Sequence, residues 1–198
     1  MGASMFYLRY PEPTRISLAL DACADQPFTY DAVGATRERP PPGYRIDRYG
    51  TSLGHGRETF SRARAAVCDF AMYPRRWIRI HRWQHDIRPG VVFGAIVQHL
   101  GFYSVQPCRI VYTIDEERQF GFALGTLPGH AATGEERFLV SWDPDDDQVT
   151  YQVLAFSRPH APLARLGAVI ARRLQKQFSR DSMQSMREAV AERPAAER

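Results

Sequence analysis

The run GFALGTLPGHAATGEERF, Gly121 to Phe138, leaves the chain few choices of local structure. Gly121 and Gly125 interrupt an apolar stretch of strand character. Pro128-Gly129 is turn chemistry, and the charged triplet Glu135-Glu136-Arg137 leads straight into a second apolar run. Two strands joined this tightly pair antiparallel, because a parallel pair needs a crossover of roughly a dozen residues or more. The glycines do not build a phosphate loop: no helix is expected after them, and neither GxGxxG nor GxxxxGK[ST] is present. They fit bends and turns instead.

The same pattern runs through the second half of the chain. Candidate strands cover 91–99, 102–105, 107–115, 119–127, 135–143 and 148–157, with short turns at Asp115-Glu116-Glu117 and Asp143 to Asp147. Upstream, Tyr44 to Leu53 reads as a strand that stops at Gly54-His55-Gly56. A helix follows with Phe60, Ala63, Val67 and Phe70 on one stripe. Trp77 to Trp83 fits either a strand or a helix. The last element is a long helix over about 160–189, with Leu163, Leu166, Ile170, Leu174 and Phe178 at helical spacing. This order is an α+β pattern, and a sheet of this size can curl around the terminal helix and leave a cavity, the helix-grip architecture. The expected organisation is an irregular Pro-rich extension over 1–42 that wraps the domain, a helix-grip domain over 43–189 and a frayed tail over 190–198.

Composition removes several classes of function. The chain has 198 residues, 44% hydrophobic and 24% charged, ordinary values for a folded domain. No window approaches the roughly 18 uninterrupted apolar residues of a membrane span, and MGASMFYLRY lacks the basic-then-apolar order of a secretory leader. Cys23, Cys68 and Cys108 are odd in number and far apart, which fits neither a disulfide framework nor a CxxC site and suits a reducing cytoplasm. Net charge is +4, and Lys176 is the single lysine, so arginine supplies the rest of the 26 basic residues. They form no stripe and no nucleic-acid motif, so nucleic acid is not an expected partner. No cofactor is expected. His81 and His85 have helical-pair spacing but no HExxH, so no metal site is expected either.

The segment GTLPGHAATGEERF, then LAFSRP, then a helix containing RRLQKQF resembles the family known as domain of unknown function nineteen-ninety, found in bacteria and plants. The resemblance runs from about Tyr30 to Met186. It takes in the Tyr44 strand, Gly54 and Gly56, Arg109-Ile110-Val111-Tyr112, Phe156-Ser157-Arg158-Pro159 and Gln175. The chain departs from it at Cys68-Asp69-Phe70, where such proteins often have a tryptophan nearby, and in its Pro-rich lead-in. The resemblance implies kinship with the START and Bet v 1-like helix-grip proteins (the SRPBCC group). These bind lipids, sterols, polyketides or hormones in the cavity, and a minority catalyse cyclisation or dehydration there. It implies no particular activity for this chain.

Strand periodicity places Glu136, Phe138, Val140 and Trp142 on one face and Glu135, Arg137, Leu139 and Ser141 on the other. Glu136 therefore points toward the expected cavity, where a carboxyl with a raised pKa can act as general acid or base. At a strand end it can equally pair with an arginine such as Arg109 or Arg158. His130, beside the Pro128-Gly129 turn, can shuttle protons at a cavity mouth or simply shape the turn. Tyr112, Phe122, Thr126, Phe138 and Trp142 are candidate lining residues, with Arg158 a candidate for an acidic ligand group at the rim. Three functions stay open: binding of a hydrophobic or aromatic small molecule such as a lipid or polyketide; a cofactor-independent cyclase, dehydratase or isomerase using Glu136 and His130; and a closed-core domain whose basic terminal helix, Arg165 to Arg180, contacts a protein partner.

Overall fold

The computed structural model describes residues 5–82, 86–99, 101–159 and 168–191. Its elements are β1 (Phe6–Tyr7), α1 (Pro13–Ala24), β2 (Arg45–His55), α2 (Gly56–Cys68), β3 (Ile78–Arg82), β4 (Val92–Gln98), β5 (Tyr103–Asp115), β6 (Gln119–Thr126), β7 (Ala132–Trp142), β8 (Gln148–Pro159) and α3 (Ala168–Val190). Among the described residues, eight strands form one antiparallel sheet in the order β2-β8-β7-β6-β5-β4-β3, with β1 added to β5. The expected α+β, helix-grip class holds: a curved antiparallel sheet closes on a C-terminal helix. Among the described residues, no helix is long and apolar enough to cross a membrane.

The segments 102–105 and 107–115, expected as two strands, are one strand that runs through Pro107. The Pro107 carbonyl accepts from Leu127 N–H just past the end of β6. Since a strand residue turns its N–H and C=O to the same side, the missing donor costs the β4–β5 ladder nothing. Trp77 to Trp83 resolves in part as β3, the sheet's edge strand. Ser157 and Arg158 belong to β8, paired with Gly134 and Thr133 of β7. The expected stripe residues Leu163 and Leu166 lie outside the described residues.

The main core lies between the concave face of the sheet and the helices α2 and α3. Phe60, Ala63 and Val67 of α2 meet Phe93, Ile110, Phe122, Phe138, Val140 and Tyr151 of the sheet, with Met186 and Val190 of α3 closing the layer. On α3 the buried positions Ser182, Met186 and Val190 recur every four residues, while Arg173, Lys176 and Arg180 face solvent. Tyr151 and Ser182 join hydroxyls at 2.9 Å and fix the helix to β8.

Helix α2 ends in a Schellman motif: Phe70 N–H donates to Val67 O at 3.0 Å and Ala71 N–H to Ala66 O at 2.9 Å. The position that favours glycine holds Phe70, at φ 55°. Its ring packs edge-on against Phe93 at 5.2 Å and tilted against Phe122 at 5.3 Å, and this burial offsets the strained backbone.

The opposite face of the sheet is covered by the N-terminal segment. Despite its prolines, this segment contains a twelve-residue helix, α1, with Pro13 in the first turn, where its fixed φ is favourable and its missing N–H costs nothing. Ile16 and Leu20 of α1 pack on Ile96 and Val105. Arg109 donates to the carbonyls of Ala24, the last residue of α1, and Gln26, and its guanidinium lies over Phe28. Phe28 and Tyr30 then cross β6 at Gly125, where a Cβ would come within 2.7 Å of the Phe28 ring.

Candidate functional site

Alternation along β7 sends adjacent glutamates to opposite faces. Glu135 turns toward the N-terminal segment and is 2% exposed. Its carboxylate accepts from Tyr30 O–H at 2.8 Å, Gly34 N–H at 2.7 Å and Thr36 N–H at 3.0 Å, and also from the Thr36 hydroxyl. Thr36 in turn accepts from Tyr112 O–H at 2.7 Å. This set of donors replaces the hydration of a buried carboxylate and staples residues 30–36 to the sheet. The sequence offers no local signal for this role, because the donors lie about a hundred residues upstream.

Glu136 turns to the concave, apolar face. It is half-buried, and the fold surrounds its carboxyl. Burial pushes its pKa from 4.5 up to about 7; the Tyr49 hydrogen bond opposes the rise and Asp47 adds to it. Tyr49 O–H donates to Oε1 at 3.4 Å, a long bond. Tyr73 and Tyr151 lie within electrostatic reach, and burial first and Glu136 next hold Tyr49 and Tyr73 well above the usual tyrosine pKa. The buried Cys108 thiol is pushed up by burial and then by Glu136. Neither arginine proposed as a partner reaches Glu136. Arg109 is committed to the carbonyls after α1, and Arg158 lies over the Tyr44 ring at 4.6 Å.

The other candidates divide between the two faces. Phe122 and Phe138 lie on the inner face, both fully buried with ring centroids 5.5 Å apart, and Tyr73 meets Phe138 edge-on at 5.8 Å. Trp142 shares this face but sits at the far end of β7. There it stacks on Phe60, takes Arg57 and Arg118 over its ring and donates to Asp147 at 2.7 Å. Tyr112 is on the opposite face, because a bulge between Ile110 and Tyr112 shifts the strand by one residue and reverses its side chains. Thr126, at the end of β6, bonds Thr29 Oγ1 at 2.6 Å and accepts from Gly134 N–H at 3.0 Å. His130 Nδ1 lies 3.0 Å from Ala132 N and 2.9 Å from Ala132 O, a local turn contact. The structure therefore groups Glu136 with Phe122 and Phe138 and adds Tyr49, Tyr73 and Tyr151. It does not bring Tyr112, Thr126 or Arg158 to that group.

Space opens beside Tyr73. A cleft of about 430 Å³ between the end of α2 and the edge strand β3 is lined by Asp69, Phe70, Tyr73, Arg75, Ile78, Arg79 and Ile80. Among the described residues, no three His, Cys, Asp or Glu side chains are grouped to hold a metal. His81 meets Ser17 at 3.2 Å, and His85 lies outside the described residues.

Residues 29–185 match the family described as Domain of unknown function (DUF1990). The chain belongs to this family. Curated relatives, each a UPF0548 protein, include one from Dictyostelium discoideum, 29% identical over 94% of this chain and 96% of its own length. One from Deinococcus radiodurans is 30% identical over 89% and 94%. Among solved structures, the DUF1990 chain resembles Ara h 8.0201 with TM-score 0.51 and 16% identity, over 75% of this chain and 98% of that one. It also resembles the Zhui aromatase/cyclase of Streptomyces sp. R1128 with TM-score 0.54 and 9% identity, over 74% and 93%. At these identities the likeness is one of fold, and it places the DUF1990 chain in the Bet v 1-like, helix-grip class.

Proposed function

We propose that the space between the concave face of the sheet and the helices α2 and α3 binds a hydrophobic or aromatic small molecule, with Glu136 as its polar anchor. One observation carries this reading: among the described residues, an ionisable carboxyl faces an apolar interior with one long hydrogen bond, from Tyr49, an arrangement that costs stability and is explained by use. Phe122, Phe138 and Tyr73 supply the apolar wall, and the tyrosines, kept protonated by their raised pKa values, offer O–H donors. The fold shared with Ara h 8.0201 and the Zhui aromatase/cyclase supports a ligand-binding role. The test is a thermal-shift screen of the intact protein against lipids, polyketides and aromatic acids, repeated with Glu136→Gln. Ligands that raise Tm of the parent and lose at least half of that effect in the variant support the reading. A panel without effect on either protein contradicts it.

A second reading, acid–base isomerisation or dehydration in the same space, is favoured by the Glu136 pKa of about 7, the value at which a carboxyl can both take and return a proton near neutrality. Turnover of a bound ligand that Glu136→Gln abolishes while binding persists would select it.

A further inference from the structure

The outer face of the sheet, opposite the proposed ligand space, holds a guanidinium with no counter-ion. The N-terminal cover thins toward the β2 edge, where Arg48, Gly50 and Gln152 are exposed. Arg137 of β7 borders this stretch, on the same face as Glu135 and Leu139. It is half-buried, and its neighbours along and across the strands, Leu139, Ala123 and Leu154, are buried. Its Nε is enclosed and is, among the described residues, the one buried side-chain nitrogen or oxygen without a hydrogen-bond partner. Its terminal nitrogens bond to none of the described residues and are not enclosed, so they reach solvent. Glu135 offers no charge to it, because both its oxygens are committed to Tyr30, Gly34 and Thr36. A guanidinium partly withdrawn from water and lacking a counter-charge gains more from an incoming anion than a fully hydrated one. Two more guanidiniums border it. Tyr112 stands in register with Arg137 through Ala123, and Arg37 lies over the Tyr112 ring at 4.1 Å. Burial raises the Tyr112 pKa, and the Thr36 hydrogen bond and the charges of Arg137 and Arg37 oppose the rise, so both guanidiniums stand near its hydroxyl. On the other side, Arg48 is in register with Leu154 and so with Arg137, about 10 Å away across two strand spacings. Arg48 has no ion pair or hydrogen bond among the described residues. Asp47 turns to the other face and pairs with Arg45 at 3.0 Å. Arg37, Arg48 and Arg137 thus stand against the engaged Glu135 and the exposed Glu38, and positive charge is in excess.

We propose that this patch is a second binding site, for a small oxyanion such as a phosphate group, centred on Arg137 with Arg37 and Arg48 at its sides. The two terminal nitrogens of Arg137 present parallel N–H groups to two oxygens of one anion, a fork that an ammonium cannot offer. The site lies on the face away from Glu136 and does not rest on the small-molecule reading above.

Proton–nitrogen NMR spectra of the intact, isotope-labelled protein test it, with inorganic phosphate titrated at fixed ionic strength and chloride as the comparison. The enclosed Arg137 Nε–H is shielded from exchange with water and gives its own cross-peak. That peak, with the backbone amides of Arg137 and Tyr112, is expected to shift saturably with phosphate and not with chloride. Arg137→Lys keeps the charge and loses the fork, and is expected to weaken phosphate roughly 10-fold, read from the Tyr112 amide. Arg48→Gln, a change at an exposed side chain, is expected to weaken it less. Amide peaks of α3, far from the patch, report whether each variant is folded, and the parent titration with Arg48→Gln decides the matter if Arg137→Lys is not. Shifts that grow linearly with phosphate, or that chloride reproduces, reduce the patch to ionic screening and overturn the site. Saturable binding of unchanged affinity in the folded variants overturns its assignment to these arginines.

Discussion

Glu135 and Glu136 are consecutive on β7, and the pleat gives one a wall of donors and the other an apolar interior. The inward direction of Glu136 is legible in sequence, since period-2 alternation with Phe138 and Val140 fixes its face. Its consequence is measurable. The native state holds the Glu136 proton more tightly than the unfolded chain, so the stability from this group is complete below about pH 4.5 and is lost as pH rises through about 7. The loss is roughly 1–3 kcal/mol, reduced from the full shift because the residue keeps some accessible surface. Glu136→Gln, which cannot ionise, should therefore unfold at a higher temperature than the parent at pH 8 and match it at pH 4.5. Equal Tm values at pH 8 would show the carboxyl to be in water. Glu135→Ala leaves Tyr30 and the N–H groups of Gly34 and Thr36 without their acceptor and should cost about 3 kcal/mol or more, read as a lowered midpoint in urea unfolding. A cost below about 1 kcal/mol would mean that residues 30–36 are not held through it.

At the scale of elements, the strand order and the α2 stripe follow from local pattern, whereas the departures all come from tertiary context. Tyr112 shares the parity of Cys108 and Ile110, and only the bulge between Ile110 and Tyr112 carries it to the other face. No residue there marks a bulge, so alternation alone places Tyr112 wrongly with respect to the interior. Helix α1 is masked by its prolines, although Pro13 in a first turn is compatible with a helix. The end of α2 is the clearest conflict between local preference and packing. Phe70→Gly would relieve about 1 kcal/mol of backbone strain and remove a ring worth about 3–5 kcal/mol, a net loss of roughly 2–4 kcal/mol by thermal or chemical unfolding. A neutral or stabilising result would mean that the ring contributes little to the core. Gly125→Ala should also destabilise, by about 1–3 kcal/mol, because its methyl meets Phe28 and the Tyr30 hydroxyl. The position tolerating alanine in a melting experiment would show that the N-terminal segment does not approach β6 this closely.

For the whole molecule, the helix-grip class was within reach of sequence because several strands with short turns precede one amphipathic helix, and only a curled sheet closes on such a helix. The wrapping of the outer face was expected only in outline, since its contacts join residues 13–36 to strands up to a hundred residues away. The resulting molecule has one face of its sheet covered by the N-terminal segment through Glu135, Thr126 and Arg109, so the proposed ligand site belongs to the other, concave face, with Glu136. Native mass spectrometry of the protein purified from its own cells measures this directly. A stoichiometric small molecule, released on denaturation and retained poorly by Glu136→Gln, is the predicted result. A protein of bare polypeptide mass, from which denaturation releases nothing and to which no lipid or aromatic acid adds, would contradict it.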